Sequence, residues 1–459
     1  MAHPIAKLHG SARADWRGWP LLFGLLAALH VLMLGYDLHH PGRFLNADRA
    51  GGRMQVLEGF RRTWEGGGDL TAFLAQHGIV GDWLPQALLY LWGGQYLVIV
   101  AQVALALASV AWVRSIGTRL GMAEGSARGA ALLYGLLPHT VVLPHQLASE
   151  AIFVPLLVGS FALLVRSSSA RGLALAGALL GLATLVRPIT LLWPLVCVLF
   201  LSATLRARAL FVLAALTPLY LWMLFVFAAT GDLSMGRSDH DLGRNLYERA
   251  ERIAASAGVP APESPTGDRR LGVAGYLRFA LDHPSPALEH SARDVAVLAL
   301  KSGTERVVLD YLEVDAAERA ELQASDGWRA RLERDGAWAT FRQMTTRHPG
   351  VVLAAAGGAI AFAALMLLAF AGALAWLREN RDGAAAPRHR LRLLLVLFPL
   401  YIAATAQVVD AAQSRHRAPA ELALCLLAVA GLPVLRRRLS RTFSKIPRVN
   451  LHTEVRRAR

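Results

Sequence analysis

An apolar run from Gly172 to Ala203 constrains the fold of this chain more than any other feature. The run has 32 residues, and a single helix of that length would extend ~48 Å at ~1.5 Å per residue. The hydrocarbon core of a bilayer is only ~30 Å thick. Arg187 and Pro188 interrupt the run, and proline disfavours helical geometry in the residue before it. The run therefore predicts two short membrane helices joined at Arg187-Pro188.

The charges that flank this hairpin predict its orientation. Arg166 and Arg171 precede the run, and Arg206 and Arg208 follow it. Basic flanks usually stay in the cytoplasm, so the turn that carries Arg187 is expected on the outer face. A cation held there runs against the general rule and marks a candidate functional residue. The ordinary alternative is an arginine whose side chain reaches the membrane surface.

Composition places the whole chain in the same class. Its 459 residues are 54% hydrophobic and include several more apolar stretches of membrane-spanning length. The expected fold class is all-α, a polytopic membrane helical bundle of about ten transmembrane helices with an extramembrane, mainly helical outer domain. Cys197 and Cys425 both fall in apolar stretches, so neither a disulfide framework nor a thiolate metal site is expected.

The apolar segments and the charges divide the chain into four parts. The ten predicted spans cover about residues 18–36, 91–113, 129–142, 151–165, the two halves of the hairpin, 210–229, 351–377, 393–409 and 420–435. These spans give an N-terminal membrane module (1–229) with a first outer loop (37–90), an outer domain (230–349), C-terminal membrane helices (350–435) and a basic cytoplasmic tail (436–459).

The charge balance predicts the sidedness of these parts. Residues 230–349 carry 16 Lys and Arg against 19 Asp and Glu, a net charge of −3. Since the whole chain carries +15, the remaining residues carry +18. The asymmetry is typical of an external domain on a positive-inside membrane protein. Because the charge resides in cytoplasmic segments, no nucleic-acid partner is expected. Both termini are predicted to be cytoplasmic.

Apolar residues recur at three- and four-residue steps early in the first outer loop. They are Ala47, Ala50, Met54, Leu57 and Phe60, with arginines between them. The pattern is typical of an amphipathic helix lying in the membrane surface. A helix packed against its own loop fits the pattern as well.

With this topology, the unusual charges collect at the outer ends of the helices. They are Asp37, Asp48, Glu150, Arg187, Asp410, Arg415, His416 and Arg417. Arginine offers planar, bidentate donors to phosphate, and a carboxylate beside an incoming hydroxyl can act as a general base. Together they favour transfer of a group whose leaving partner is a lipid phosphate. The alternative is that these residues form ordinary loop contacts or ion pairs.

Four motifs, in order, resemble the membrane-embedded GT-C glycosyltransferases that use polyprenyl-phosphate sugars. The closest branch contains protein O-mannosyltransferases and the lipid A aminoarabinose transferase. The motifs are NADRAGGRMQVLEGF in the first outer loop, LPHQLASEAIF before the fourth span, GLATLVRPITLLWP at the hairpin and SRHRAPAELALCLLAVAGL at the last span. The match covers roughly residues 15–230 and 350–435.

The resemblance implies a role for each matched residue. Asp48 matches the family's catalytic aspartate, with Asp37 as the alternative base, and Glu150 matches the second acid. Arg187 lies in the helix-turn motif, and placement suggests that it binds lipid phosphate together with Arg415, His416 and Arg417. The motif departs from the family because Asp48 is followed by Arg49 without a nearby tyrosine, and His416 replaces an aromatic residue.

The resemblance also implies the partners. The donor would be a polyprenyl-phosphate-linked sugar, and the acceptor a glycan, a lipid or a protein at the periplasmic face of a bacterial inner membrane. No metal ligands are predicted, although the departures in the motifs leave a divalent metal open. Two other functions stay open: a flippase or transporter of lipid-linked sugars, and an O-antigen ligase or polymerase. A purely structural membrane protein is the remaining alternative.

Overall fold

The computed structural model describes residues 18–45, 50–77, 80–232, 237–263, 269–300, 302–304, 335–347, 349–378, 387–406 and 414–443. Within these residues, helices are the only regular secondary structure. The all-α prediction is therefore confirmed for the described part of the chain.

Among the described residues, ten α-helices precede the polar segment that begins at residue 230. They are α1 (Gly18–His39), α2 (Ala50–Glu65), α3 (Leu70–Gln76), α4 (Leu84–Arg119), α5 (Glu124–Gly135), α6 (Pro138–Val142), α7 (Glu150–Arg166), α8 (Ala170–Val186), α9 (Trp193–Phe200) and α10 (Leu205–Thr230).

The described part of the chain after this point contains seven more α-helices. They are α11 (Arg237–Ala257), α12 (Val273–Asp282), α13 (Pro284–Leu300), α14 (Ala337–Arg347), α15 (Pro349–Arg378), α16 (Pro387–Ala406) and α17 (Glu421–Phe443). Short 3₁₀ turns join several of them, including Leu143–His145 and Ser414–Ala420.

Five segments of the described chain are long and apolar enough to cross a membrane. They are Gly18–His39, Leu84–Arg119, Leu205–Thr230, Pro349–Arg378 and Arg417–Arg436. Each coincides with one of the predicted spans, so the membrane-protein prediction is supported. The other predicted spans coincide with shorter or less apolar helices, and a count of ten stays a prediction.

The predicted helix break at Arg187-Pro188 is confirmed. Helix α8 ends at Val186, and Arg187 is extended, with φ −144° and ψ 115°. This is the geometry that a following proline favours. A 3₁₀ turn, Pro188–Thr190, then leads towards α9. The hydroxyl oxygens of Thr184 and Thr190 lie 3.0 Å apart and tie the two sides of the break together.

Glycines let the helices that carry the functional residues pack backbone to backbone. A Cβ atom on Gly181 of α8 would lie 2.3 Å from the carbonyl oxygen of Ala215 on α10. A Cβ on Gly372 of α15 would lie 1.8 Å from the carbonyl oxygen of Leu427 on α17. Small residues permit such close approach between membrane helices. These contacts fix α8, which ends at Val186 just before Arg187, and α17, which begins at Glu421.

Helix α2 is packed against its own loop. Its Leu57 and Phe60 are buried, and the Phe60 ring contacts the rings of Phe73 and Trp83. The second of the two interpretations of this helix therefore accounts for these apolar residues. Ala47 lies outside the described residues, and contact of α2 with a membrane stays a prediction.

The described helices of the 230–349 segment have a small apolar core of their own. Leu246, Ala250 and Leu271 are buried there, and Arg249 forms an ion pair with Asp294 at 3.0 Å. The end of α13 contacts α15, and its Leu298 packs against Ala403 of α16. Leu298 and residues 302–304 therefore lie beside the site described next.

Candidate functional site

Glu150 lies at the centre of the candidate site. The chain turns at Leu143–His145 and starts α7 at Glu150, where a negative charge is favoured by the helix dipole. The residue is 1% exposed. Its Oε2 accepts a hydrogen bond from the Ser149 hydroxyl at 3.2 Å. A buried carboxylate needs a cationic partner in order to stay ionised, and the helix break supplies one.

Arg187 is that partner. Its Nη1 lies 3.1 Å from Oε1 of Glu150. The α7–α8 packing brings the end of α8 beside the start of α7, so the extended backbone at Arg187 directs the guanidinium to the carboxylate. The Glu150 side chain is fully covered, whereas 19% of the Arg187 side chain is exposed. The pair therefore combines a sheltered acid with a partly accessible cation.

A second buried acid, Glu421, forms a neighbouring cluster. His139 places Nδ1 2.7 Å from Oε1 of Glu421, and a carboxylate can only accept, so Nδ1 is the donor. Arg417, one helical turn before Glu421, places Nε 3.4 Å from the same oxygen. All three residues are at most 3% exposed.

Described residues of the 230–349 segment cover this cluster. The Arg417 guanidinium donates to the carbonyl oxygens of Leu298 and Ser302, and its carbon lies 3.5 Å from the centre of the Phe362 ring. Gly303, at φ +81°, brings its backbone against the His139 ring. Arg417 thus links α17 to the end of α13, and its predicted role in binding lipid phosphate would require these contacts to open.

Both acids line one cavity. Glu150 and Glu421 face it together with His139, Tyr134 and Thr140. Its volume, for the centre of a water-sized sphere, is about 20 Å³, which is room for about one water molecule. Two carboxylates, an imidazole and a phenol can therefore meet at a single water-sized space, a suitable arrangement for moving a proton.

A third buried cluster joins α1 to the turn before α7. Nδ1 of His145 lies 2.6 Å from Oδ2 of Asp37, and Nε2 of His145 lies 3.0 Å from Nδ1 of His30. Because Asp37 can only accept, His145 donates through Nδ1 and accepts from His30 through Nε2. The three residues are at most 3% exposed. We call them the Asp37–His145–His30 relay.

Buried amides hold the turn that carries these groups. The side-chain amide of Gln86 donates to the carbonyl oxygen of Ala148 at 3.1 Å. With its amide oriented to satisfy both partners, Gln102 donates to the carbonyl oxygens of Pro144 and Gln146 at 2.8 and 3.2 Å. Residues 143–150, which include His145 and Glu150, are therefore held against α4.

The structure brings together some of the predicted site residues. Glu150 and Arg187 form one pair, Arg417 belongs to the neighbouring cluster, and Asp37 belongs to the relay. Asp48 lies outside the described residues, as do Asp410 and the side chains of Arg415 and His416. Their predicted roles therefore stay predictions.

Four residues of these clusters were missed by the sequence reasoning. His30 precedes Asp37 by seven residues, a spacing that puts both on one face of a helix, and Glu421 follows Arg417 by four, which also places them together. His139 and His145 each stand next to a proline in an apolar segment. No local pattern could have paired either histidine with its partner.

The described residues contain no group of three or more His, Cys, Asp or Glu side chains arranged to hold a metal ion. Comparisons with protein-family models, with curated proteins and with solved structures find no match. The function must therefore be argued from the site itself.

Proposed function

We propose that this protein is a glycosyltransferase that moves a sugar from a polyprenyl-phosphate carrier to an acceptor at the outer face of the membrane. The observation that carries the proposal is the ion pair between buried Glu150 and partly exposed Arg187. It stands at a break between two apolar helices, where water, headgroups and a lipid phosphate can meet.

The pair supplies the two charges that this chemistry needs. Arginine binds phosphate through planar donors and can stabilise the charge that grows on a leaving phosphate. A carboxylate held ionised can remove the proton from an attacking hydroxyl. In the reaction, the acceptor oxygen bonds to the sugar C1, the C1–O bond to phosphate breaks, and polyprenyl phosphate leaves with the electron pair.

The Glu150–Arg187 contact also suggests how the site is kept closed without substrate. A donor phosphate that engages the exposed side of Arg187 would weaken the hold of the guanidinium on Glu150. The carboxylate would then be freed to act as a base only when the donor is bound. The cavity shared with Glu421 and His139 offers a nearby path for the proton.

The remaining predicted residues keep the roles that the resemblance implies. By the family resemblance, Asp48 is the catalytic base, and Glu150 would then be the second acid. Arg415, His416 and Arg417 belong to the turn before α17, and Ala418 and Glu421, which follow them, line the cavity. The segment that covers Arg417 would have to move to admit a long acceptor, which could be a glycan, a lipid or a protein.

Consumption of the donor tests the proposal. The purified full-length chain would be given a panel of polyprenyl-phosphate sugars with candidate acceptors, with and without divalent metal, and free polyprenyl phosphate would be followed by mass spectrometry. Release by the wild type, together with its loss in Asp48→Asn and Arg187→Gln, would support it. Arg269→Gln is the matched control, because Arg269 pairs with Glu251 on the exposed surface.

Failure to release polyprenyl phosphate from any donor would overturn the proposal. Wild-type activity in Asp48→Asn with loss in Glu150→Gln would keep the reaction but move the base to Glu150. An acceptor found only among lipid-linked glycans would favour the ligase or polymerase type of enzyme over the protein- and lipid-modifying branch.

A transporter of lipid-linked sugars is the second candidate, and one observation favours it. His30 is a buried ionisable residue inside a helix that is apolar and long enough to cross a membrane, which is common on proton pathways. Proteoliposomes would distinguish the two functions. Movement of intact donor between leaflets, dependent on a pH gradient and without release of polyprenyl phosphate, would identify transport.

A further inference from the structure

We propose that the Asp37–His145–His30 relay is a proton-binding site that takes up the proton released when the acceptor hydroxyl attacks. This inference rests on the proposed function for the source of the proton, but the capacity of the relay to bind a proton does not. Nothing in the family resemblance assigns His30 or His145 a role.

The hydrogen bonds give the relay a direction and two ends. With Asp37 accepting from His145 and His145 accepting from His30, the chain runs from the outer end of α1 into its interior. His30 and Asp37 are seven residues apart, about 10 Å along the helix. If the proton on His30 Nδ1 moves to His145 Nε2 and the proton on His145 Nδ1 moves to Asp37 Oδ2, a proton is carried from His30 to Asp37 without movement of a side chain.

The Asp37 end of the relay has an acceptor atom left over. Oδ1 of Asp37 is buried and has no hydrogen-bond partner among the described residues. In the assigned tautomer, Nε2 of His30 is an unprotonated nitrogen. A buried acceptor without a partner, in the low dielectric of a membrane helix, is costly unless it serves a function.

Charge favours uptake of one proton. With both imidazoles neutral, the relay carries the single negative charge of Asp37. Burial opposes an uncompensated charge, and one added proton converts the relay into a neutral carboxylate–imidazolium pair. The buried relay is therefore an acceptor for one proton and resists binding a second.

The relay stands close to the place where the proton is released. Leu143 and Pro144 line the cavity that holds Glu150, and His145 is the next residue of the same 3₁₀ turn. The relay itself does not line the cavity, so a proton passed from the acceptor hydroxyl to Glu150 would have to cross this turn to reach the relay. The electron pair of the broken bond leaves with the phosphate, so the step balances.

Other titratable groups surround α1 and must be separated from the relay in a pH experiment. Those on α1 and on the elements packed against it are Tyr36, His39 and His40 at its outer end, Tyr134 on α5, and Glu124 with Arg114 and Arg128 at its other end. His40 is the useful control, because its Nδ1 lies 3.0 Å from the Tyr36 carbonyl oxygen rather than in the relay.

Infrared spectroscopy tests proton uptake without requiring activity. The full-length protein would be taken through a pH change, and the carboxylate and imidazole bands recorded for wild type, Asp37→Asn, His30→Gln and His40→Gln. We expect one proton-linked change that is absent in Asp37→Asn, altered in His30→Gln and retained in His40→Gln. An Asp37→Asn spectrum that titrates like the wild type would overturn the relay.

Kinetics then test the link to transfer. Near neutral pH, Asp37→Asn and His30→Gln should lower kcat by about 100-fold, the low end of what a positioned proton acceptor contributes, with the donor KM unchanged. The deficit should narrow as the pH rises, because hydroxide and buffer bases replace the relay. A loss that is equal at every pH would indicate a structural role and refute the link.

The two measurements separate the two proposals. Proton uptake by the relay without donor consumption would support the relay as a proton-binding site and contradict the glycosyltransferase proposal. Donor consumption that is unchanged in both relay variants would support the glycosyltransferase and contradict a role for the relay in transfer. His145→Gln is the second variant for the case in which His30→Gln does not fold, since it breaks the same chain at its middle.

Discussion

Arg187 Nη1 and Glu150 Oε1 lie 3.1 Å apart, yet the two side chains differ in their access to water: Glu150 is covered, and Arg187 is 19% exposed. This asymmetry gives the two residues different roles. The cation can meet a ligand from outside, whereas the carboxylate depends on the cation for its charge.

The asymmetry predicts unequal effects on stability. Arg187→Met leaves a buried carboxylate without its partner and should destabilise the fold by about 3–5 kcal/mol. Glu150→Gln should cost clearly less, because water can solvate the remaining arginine. The double variant should recover part of the loss. Thermal unfolding in detergent measures all three, and equal losses in the two single variants would contradict the argument.

Glu150 and Arg187 show which parts of the site can be predicted from the sequence. Pro188 after Arg187 predicts the helix break, and the acid at the start of a helix marks Glu150, because both signals are local. The pairing of His139 with Glu421 spans 282 positions and depends on how α6 packs against α17. The periodicity of one helix carries no information on such a contact. For the same reason, the sequence could not predict the contact of His145 with Asp37, which lies 108 positions earlier.

Arg417 provides a second prediction, because its planar group serves several partners at once. It donates to the carbonyl oxygens of Leu298 and Ser302 and stacks on Phe362. Lysine cannot reproduce this geometry. Arg417→Lys should therefore lower the free energy of unfolding by about 2–4 kcal/mol, as losing a buried, hydrogen-bonded charge network does.

The position of Arg417 also predicts which segment becomes accessible to a protease when this residue is replaced. Since Arg417 holds the end of α13, limited proteolysis should cut near residues 298–304 faster in Arg417→Lys than in wild type. Arg269→Lys is the control, because its pair with Glu251 is exposed and should contribute little. An unchanged cleavage pattern in Arg417→Lys would show that other contacts hold the segment.

Close packing between α15 and α17 gives a third prediction. A Cβ on Gly372 would lie 1.8 Å from the Leu427 carbonyl oxygen, so Gly372→Ala must push the helices apart. We expect a loss of about 1–3 kcal/mol, as for overpacked cores. Gly357→Ala on the same helix is the matched control, because nothing lies within 4 Å of its added methyl group. Equal melting temperatures for the two variants would refute the packing argument.

The end of α5 opposite the candidate site gives a prediction about pH. Partial burial acts to raise the pKa of the Glu124 carboxyl, but hydrogen bonds from Arg114 at 2.7 Å and Arg128 at 2.9 Å outweigh it and hold that pKa below its ordinary value of 4.5. A lowered pKa in the folded state means that the unfolded chain binds the proton more tightly. The stabilisation is therefore fully present above pH 4.5 and is lost as the pH falls through the folded pKa.

Glu124→Gln should accordingly melt below wild type at pH 7, and the difference should start to close below pH 4.5. Melting curves recorded from pH 7 down to about pH 3 would follow the closing gap, because the unfolded chain titrates near the ordinary value of 4.5 and the folded protein below it. Glu289→Gln, at an exposed position on α13, controls for removal of a carboxylate as such. A gap that stays constant with pH would mean that Glu124 contributes through packing rather than through its charge.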